Sequence, residues 1–460
     1  MHRPDVLIIG GGTAALCAAI AARRSGASVL LAEAAPRTLR GGNTRHSRNL
    51  RFMHETSTPL SSGVYPEQDF RSDLDRATGA SGDAALAQLL VRASADVTDW
   101  LTEAGVHFQP TAGGVLPVSR RTAFLLGGGM SMLNALYATA ERLGVEIRYG
   151  CAVGDLRIGR QRLEQVQLQE DGASRWIEPR ASVACCGGAQ ANRDWLCRHW
   201  GEAADGFLNR GTPFATGSVL ESLFDQGARR VGDPTTAYLV AVDARSPADD
   251  GGIVTRIRCM PSGIVVDRDG RRFRDEGGDT ASTRYAVWGQ RLAHCPAQIA
   301  YLILDARALR SAPPSLYPPI QADSLASLAE RLELPPSVLA ATLADYNAAT
   351  EPGKEDQDPV GWHTRDLDPP KTAYALPLTE PPFAAYPMRP GITFTYEGVA
   401  VDESARVLRE DGQAIPNLFA AGMIMAPNIV PRGYVSGLAL TIGIVFGRIA
   451  GMEAARHALH

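Results

Sequence analysis

The chain has few features that would suggest disulfides, iron–sulfur clusters or haem. Its seven cysteines, Cys17, Cys151, Cys185, Cys186, Cys197, Cys259 and Cys295, form no C-x-x-C pair. An odd count without close pairs suits reduced thiols in a cytosolic protein and supplies no cluster or haem-attachment ligands; no metal site is expected. A positive balance is also lacking. The formal net charge is −4, so the cationic face that a nucleic acid requires is not expected. Long apolar runs are missing too. Val6–Ile9 runs straight into glycines and does not resemble a secretory signal. The stretch Tyr434–Phe446 is too short to span a bilayer and carries Gly and Ser, so it reads as a buried helix. The expectation is a cytoplasmic protein with no direct membrane insertion, no internal repeat and no low-complexity tract.

What is present fits a packed globular protein. The 460 residues are 45% hydrophobic and 21% charged, enough for two domains. Asp5–Ile9 is a continuous apolar run, as in a parallel strand buried on both faces. Glycines 10–12 break it, Thr13–Arg24 has helical character, and Ser28–Ala32 is a second strand ending at Glu33. That is a βαβ unit. Farther on, Ser131–Leu143 reads as a helix, Val145–Tyr149 as a strand, and Trp176–Cys186 leads to another Gly-Gly. After about residue 233 the texture changes. There is a hairpin-like stretch at Ile264–Phe273, a polar loop at Glu351–Asp358 and a proline-rich crossing at Pro369–Pro390. Gly391–Val401 and Asn417–Ala421 then read as strands, and a helix from Ser436 closes the chain. The expected layout is a nucleotide-binding domain in two pieces, 1–233 and 371–460, around a cap at 234–370.

Gly10-Gly11-Gly12-Thr13-Ala14-Ala15 fits G-x-G-x-x-G/A. Gly10 allows the tight turn, Gly12 lets a pyrophosphate approach the backbone, and Ala15 lets helix and strand pack closely. The helix N-terminus supplies N–H groups, including those of Thr13 and Ala14, and partial positive charge. Glu33, at the end of the second strand, is placed to accept from both ribose hydroxyls and would repel a 2′-phosphate. Gly127–Gly129 before a helix is not read as a second nucleotide site, because Thr122–Leu126 makes a poor buried strand and Pro117 interrupts the approach. The loop Gly41-Gly42-Asn43-Thr44 selects FAD over NAD. A ribityl chain and isoalloxazine need small residues and short polar side chains there, whereas an NAD domain does not.

These motifs occur in order with Cys186-Gly187-Gly188, Gly270-Arg271-Arg272-Phe273-Arg274-Asp275-Glu276, Phe419-Ala420-Ala421-Gly422 and Phe446–Gly451. Together they resemble the fumarate reductase/succinate dehydrogenase flavoprotein family, which includes 3-ketosteroid dehydrogenases. Four stretches, beginning at Gly41, Asp275, Gly391 and Gly433, are most similar to its tricarballylate dehydrogenases. The resemblance implies an α/β fold, a Rossmann-type FAD-binding domain with an inserted α+β capping domain. It implies hydride transfer between a saturated carbon and flavin N5, forming or reducing a C=C bond beside a carboxylate or carbonyl.

The same resemblance implies the site. Arg272 matches the arginine that moves the companion proton, with Asp275 and Glu276 as partners, since a lone guanidinium is too weak an acid. The substrate arginine falls on Tyr434, with Arg432 two residues earlier able to anchor a carboxylate. A family His-His-Thr segment falls on Thr393-Phe394-Thr395-Tyr396, so Thr393, Thr395 and Tyr396 are substrate candidates and fumarate is not the expected substrate. Val153 matches a backbone contact to adenine. Gly187, Gly188, Gly217 and Gly422 match close approaches to the cofactor. Ser436, Gly437, Leu438 and Ala439 open the last helix, whose amides would face the flavin and favour negative charge on it. Met423 and Ser218 stand where the family has acids, which implies looser cofactor retention. Thr44 replaces the histidine that binds FAD covalently elsewhere, so FAD is expected to be non-covalent, and His46 is a further active-site candidate.

The expected partners are a small organic acid, tricarballylate-like polycarboxylates first, and a separate electron acceptor: a carrier protein, a quinone-linked partner or oxygen. The alternatives are an enzyme of the same fold acting on a cyclic ketone or a biosynthetic intermediate, and a non-catalytic flavin-binding subunit.

Overall fold

The computed structural model describes residues 3–61, 63–110, 121–279, 284–353 and 358–460. The chain forms two compact units: residues 1–192, 211–238 and 394–460 make the first, and 193–210 with 239–393 make the second. The short excursion 193–210 and the return at 393 rather than 370 differ from the expected boundaries. Strand pairing explains the late return. Phe383–Val399 is one strand, antiparallel to Ala300–Leu304 and Ile320–Ala322, so the last part of the expected proline-rich crossing, Phe383–Pro390, is sheet of the second unit.

The first unit is built on a six-stranded sheet in the order Arg406–Leu408, Ala414–Ala420, Ala181–Ala184, β1 (Val6–Ile9), β2 (Val29–Glu33), Glu146–Tyr149. β1 pairs in parallel with Ala181–Ala184 and with β2, and all four of its residues are buried. A strand buried on both faces tolerates the unbroken Val-Leu-Ile-Ile run seen in the sequence. Between β1 and β2 runs α1 (Thr13–Arg24), so the expected βαβ unit is present within a residue or so.

The last helix spans Leu438–Leu459, longer than the apolar stretch suggested, and most of it is buried. It is long and apolar enough to cross a membrane, but it packs along α1. Glycines four residues apart allow the contact. A Cβ on Gly447 would lie 2.6 Å from the Ala14 carbonyl oxygen, and one on Gly451 would lie 2.2 Å from that of Ala18. Small residues on one ridge let two helix backbones approach.

One other expectation changes. Thr122–Leu125 is a strand after all, in a three-stranded antiparallel sheet with Asn49–Arg51 and Phe108–Gln109. The hairpin-like stretch at Ile264–Phe273 is present in short form: strand Ile264–Asp267 turns at Gly270, and Arg272 returns to bridge Val266 in antiparallel fashion. The strand's long partner is Ala300–Leu304. Part of the polar loop at Glu351–Asp358, and Pro117, lie outside the described residues.

The second unit has its own core, in which Trp288, Tyr346, Leu302 and Ile303 are fully buried.

Candidate functional site

In the first unit the three glycines after β1 do three different jobs. Gly10 has φ of 108° and sits so close to the Cys185 carbonyl that a Cβ would be 2.7 Å from its oxygen. Gly11 faces inward, where a Cβ would lie 2.0 Å from the Glu33 carboxylate and 2.3 Å from the Tyr137 hydroxyl. Gly12 is open on its side-chain face, its nearest neighbours 3.6 Å and 3.7 Å away. That open face is where a pyrophosphate can approach the backbone, whereas Gly11 is required by the protein itself. Ala14 and Ala15 are buried in the first turn of α1.

Glu33 is buried at the end of β2 and accepts from the Ala35 amide at 2.9 Å and the Gly41 amide at 3.3 Å. Burial pushes its carboxyl pKa up, and those two amides pull it back. A carboxylate has about four acceptor positions, which leaves capacity for ribose hydroxyls. Tyr137, beside it, donates to the Gly11 carbonyl at 2.9 Å; a lone aromatic on a helix carried no sequence signal for that role. Val153 is buried in the strand Ala152–Ile158, and the residues just before it are tied to the end of β2 through Cys151 N–H and the Glu33 carbonyl.

The second loop is a turn of 3-10 helix, Gly42–His46. Thr44 locks it to the first loop: its hydroxyl accepts from the Thr13 amide at 3.1 Å and lies 2.8 Å from the Thr13 hydroxyl. Gly42 has open space where a Cβ would be, and the Asn43 side-chain oxygen accepts from Thr212 N–H at 2.9 Å. His46 is the partly buried last residue of that turn. Gly129, by contrast, is pressed on this loop, where a Cβ would lie 1.8 Å from the Thr44 carbonyl oxygen. The Gly127–Gly129 run therefore serves helix-to-loop packing.

The remaining cofactor candidates gather on the same unit. Gly188 abuts Thr395, whose buried hydroxyl accepts from Ala189 N–H at 3.2 Å. Gly217, in the left-handed region, packs on Ala189, and Gly422, also left-handed, packs on Ala14. Ser436 and Gly437 precede the last helix; Leu438 and Ala439 are its first two residues. An open Gly12, a Thr13–Thr44 clasp, a buried acid and a helix N-terminus suit a dinucleotide with a flavin.

Beside this cradle lies an aromatic row. Tyr434 stacks on Tyr238 with centroids 3.9 Å apart and planes 11° apart; Tyr238 stacks on Phe394 at 5.3 Å, and Phe394 meets Tyr396 edge-on at 5.4 Å. The buried Tyr396 hydroxyl donates to the Gly433 carbonyl, and burial raises its pKa. Tyr238 carried no motif and was missed. Arg432 is on the same loop, but its Nε donates to the Thr78 carbonyl at 2.7 Å, capping the helix Glu67–Thr78. A cation at a helix C-terminus is favourably placed.

The expected proton pair lies in the second unit. Arg272 and Glu276 are buried, with side-chain exposures of 4% and 0%, and 2.6 Å apart. Every Arg272 nitrogen is engaged: Nε with Glu276, one amino group with the Pro369 carbonyl at 2.7 Å, the other with Glu276 and the Pro370 carbonyl. Glu276 also accepts from Val265 N–H at 2.8 Å. Lys371, one of two lysines in the chain, is fully buried nearby and donates to the Gly263 carbonyl at 2.6 Å. Its pKa falls to about 8, because burial outweighs Glu276. The G-x-R-F-x-x-E run is thus the internal brace of a core. Arg272 and Glu276 are fully paired with each other and with backbone carbonyls, which is how buried charges persist. Thr393 also belongs to this unit, accepting from Arg210 at 2.6 Å.

Comparison with known proteins agrees with the cradle. NADH:fumarate oxidoreductase of Klebsiella pneumoniae is 27% identical over 99% of this chain, which spans 48% of that relative's length. A 3-oxosteroid 1-dehydrogenase of Mycobacterium tuberculosis is 25% identical over 73% of this chain and 64% of its own. The fold matches a flavocytochrome c3 fumarate reductase in its open conformation with a TM-score of 0.77 at 23% identity, covering 99% of this chain and 79% of that one. A model of the FAD binding domain matches residues 5–429, and with the cradle built as described the chain belongs to this family and takes FAD as its cofactor.

Proposed function

We propose that the chain is an FAD-dependent oxidoreductase that forms or reduces a carbon–carbon double bond next to a carbonyl, with Tyr434 handling the companion proton. The observation that carries this is the Tyr434–Tyr238 stack at the loop where the resemblance places a substrate arginine. FAD, when bound, exchanges a hydride at N5. The chain's own residues do the rest. The Thr13–Thr44 clasp and the open Gly12 hold the cofactor, and the N-terminus of the last helix favours negative charge beside it. Tyr434 gives or takes a proton at its hydroxyl, and the faces of Tyr434, Tyr238 and Phe394 shed water and suit a planar carbonyl substrate. The 3-oxosteroid 1-dehydrogenase relative supports that class.

A second reading, a tricarballylate-like polycarboxylate, is favoured by the exposed Arg432 on the same loop and by the fumarate-linked relative. In either reading the electrons pass to a separate acceptor. Anaerobic mixing of FAD-loaded protein with cyclic ketones and with tricarballylate tests both. Bleaching of the oxidised flavin band by the ketones is expected. Bleaching by tricarballylate alone would establish the second reading, and no bleaching by a broad panel would leave a flavin-binding subunit without a substrate.

A further inference from the structure

Thr395 and Tyr396 are neighbours in the part of strand Phe383–Val399 that belongs to the first unit. Successive side chains of a strand point to opposite faces, and these two make ties in different directions. The Thr395 hydroxyl accepts from the Ala189 amide at 3.2 Å and abuts Gly188, one of the cofactor candidates. The Tyr396 hydroxyl donates to the Gly433 carbonyl, in the loop that carries Tyr434. The strand is closely packed here. A Cβ on Gly232 would lie 1.8 Å from the Tyr396 carbonyl oxygen, and one on Gly398 would lie 2.1 Å from that of Ile424. The pair Thr395-Tyr396 therefore links the Gly187-Gly188 turn to the loop 432–434.

Tyr434 is fixed from several sides by residues far from it in sequence. Its ring stacks on Tyr238 at 3.9 Å. Gly433, just before it, has φ of 79°, and a Cβ there would lie 2.0 Å from the Ala77 carbonyl oxygen, so this backbone packs on the end of the helix Glu67–Thr78. Arg432 is tied to the same helix end through the Thr78 carbonyl. Tyr396 adds a tie at the peptide that joins Gly433 to Tyr434. A phenol has one hydrogen to give, and that of Tyr396 is spent on Gly433. The residue is 2% exposed, and burial holds its pKa up, so the hydroxyl keeps its hydrogen and has none left for a substrate.

We infer that Tyr396 is a positioning residue: by holding the Gly433 carbonyl it keeps the Tyr434 hydroxyl in one place relative to the cofactor cradle, and it acts on the reaction only through Tyr434. This role rests on Tyr434 handling the companion proton as proposed above. A reacting group misplaced by about 1 Å can lose about a hundredfold in rate. The glycine loops that hold FAD, and the ring faces of Tyr434 and Tyr238, do not depend on the Tyr396 hydroxyl.

Anaerobic bleaching of the FAD-loaded protein by a 3-ketosteroid, followed over a range of steroid concentrations, tests this in a cycle of Tyr396→Phe, Tyr434→Phe and the two combined. Tyr396→Phe keeps the ring beside Phe394 and removes only the hydrogen bond. It should retain FAD, keep the half-saturating steroid concentration within about twofold, and lower the saturating rate by about 10- to 100-fold. In the Tyr434→Phe background the same change should cost less than about twofold, because residues acting through one another are non-additive. Gly433→Ala displaces the same peptide from the Ala77 side and should repeat both results, which keeps the test open if Tyr396→Phe does not fold. An unchanged rate in Tyr396→Phe, a raised half-saturating concentration at unchanged maximal rate, or the same loss in both backgrounds would overturn the positioning role and leave the Tyr434 reading standing. Tyr434→Phe with the parent's rate, or a parent that the steroid leaves unbleached, would overturn that reading and the positioning role with it.

Discussion

The glycine cradle of the first unit and the Arg272–Glu276–Lys371 cluster of the second handle polarity in opposite ways. The cradle leaves backbone and space unfilled at Gly12 and Gly42, and its acid, Glu33, keeps acceptor capacity. The cluster leaves no nitrogen of Arg272 unengaged and buries Glu276 completely. Each contains a charged residue in a conspicuous motif. The difference lies in what remains for a ligand, and that is a better guide to function than the motif.

Substitutions at the two regions sharpen the contrast. The largest effect is expected at Gly11, where a Cβ collides with Glu33 and Tyr137. Gly11→Val should yield protein without flavin, read from the absence of the oxidised flavin band after purification. Retained FAD would show that the loop can move aside. Next is Tyr434→Phe, which preserves the ring stack on Tyr238 and removes only the hydroxyl. FAD content should be unchanged while turnover falls by about 10²–10⁴-fold. Near-normal turnover would remove Tyr434 from the chemistry.

Breaking the buried pair should act on stability. Glu276→Ala strands the Arg272 guanidinium and is expected to cost about 3–5 kcal/mol, measured by denaturant unfolding. A variant with unchanged stability and lost turnover would assign the proton-carrier role to this pair.

Lys371 carries a pH signature. Its folded pKa of about 8 lies below the ordinary 10.5. Between those values the unfolded chain binds more protons, so this residue makes stability rise with pH through that window. Lys371→Met should lose that rise, a difference of up to about 3 kcal/mol between pH 8 and 10.5, seen by comparing variant and parent at each pH. The smallest effect is expected for Arg432→Gln: about 0.3–1 kcal/mol from the lost helix cap, with substrate response unchanged if the planar-carbonyl reading holds. A selective loss of tricarballylate response would favour the polycarboxylate.

Much of the cradle was legible because its chemistry is local. A buried parallel strand, a glycine turn and a helix start lie within about fifteen residues of chain, and their spacing carries the constraint. Gly11 illustrates the limit: its neighbours are distant residues, Glu33 and Tyr137. The same limit hid Tyr238, which meets Tyr434 only through folding. It also misled the reading of Thr122–Leu125, whose strand partners are Asn49–Arg51 and Phe108–Gln109. The proline-rich stretch before Gly391 read as a crossing because proline lacks an N–H donor. Strand Phe383–Val399 nevertheless accommodates Pro387 and Pro390.

By itself the sequence determined the βαβ unit, the FAD-selecting loop and the order of the motifs, since these follow from periodicity and from the backbone freedom of glycine. Only the tertiary structure decided what the charged and aromatic residues do. It paired Arg272 with Glu276 inside a core, set Arg432 on a helix end and stacked Tyr434 on Tyr238. The reason is physical. A side chain's role depends on which partners reach it and how much water is left, and both are fixed by contacts between residues hundreds of positions apart.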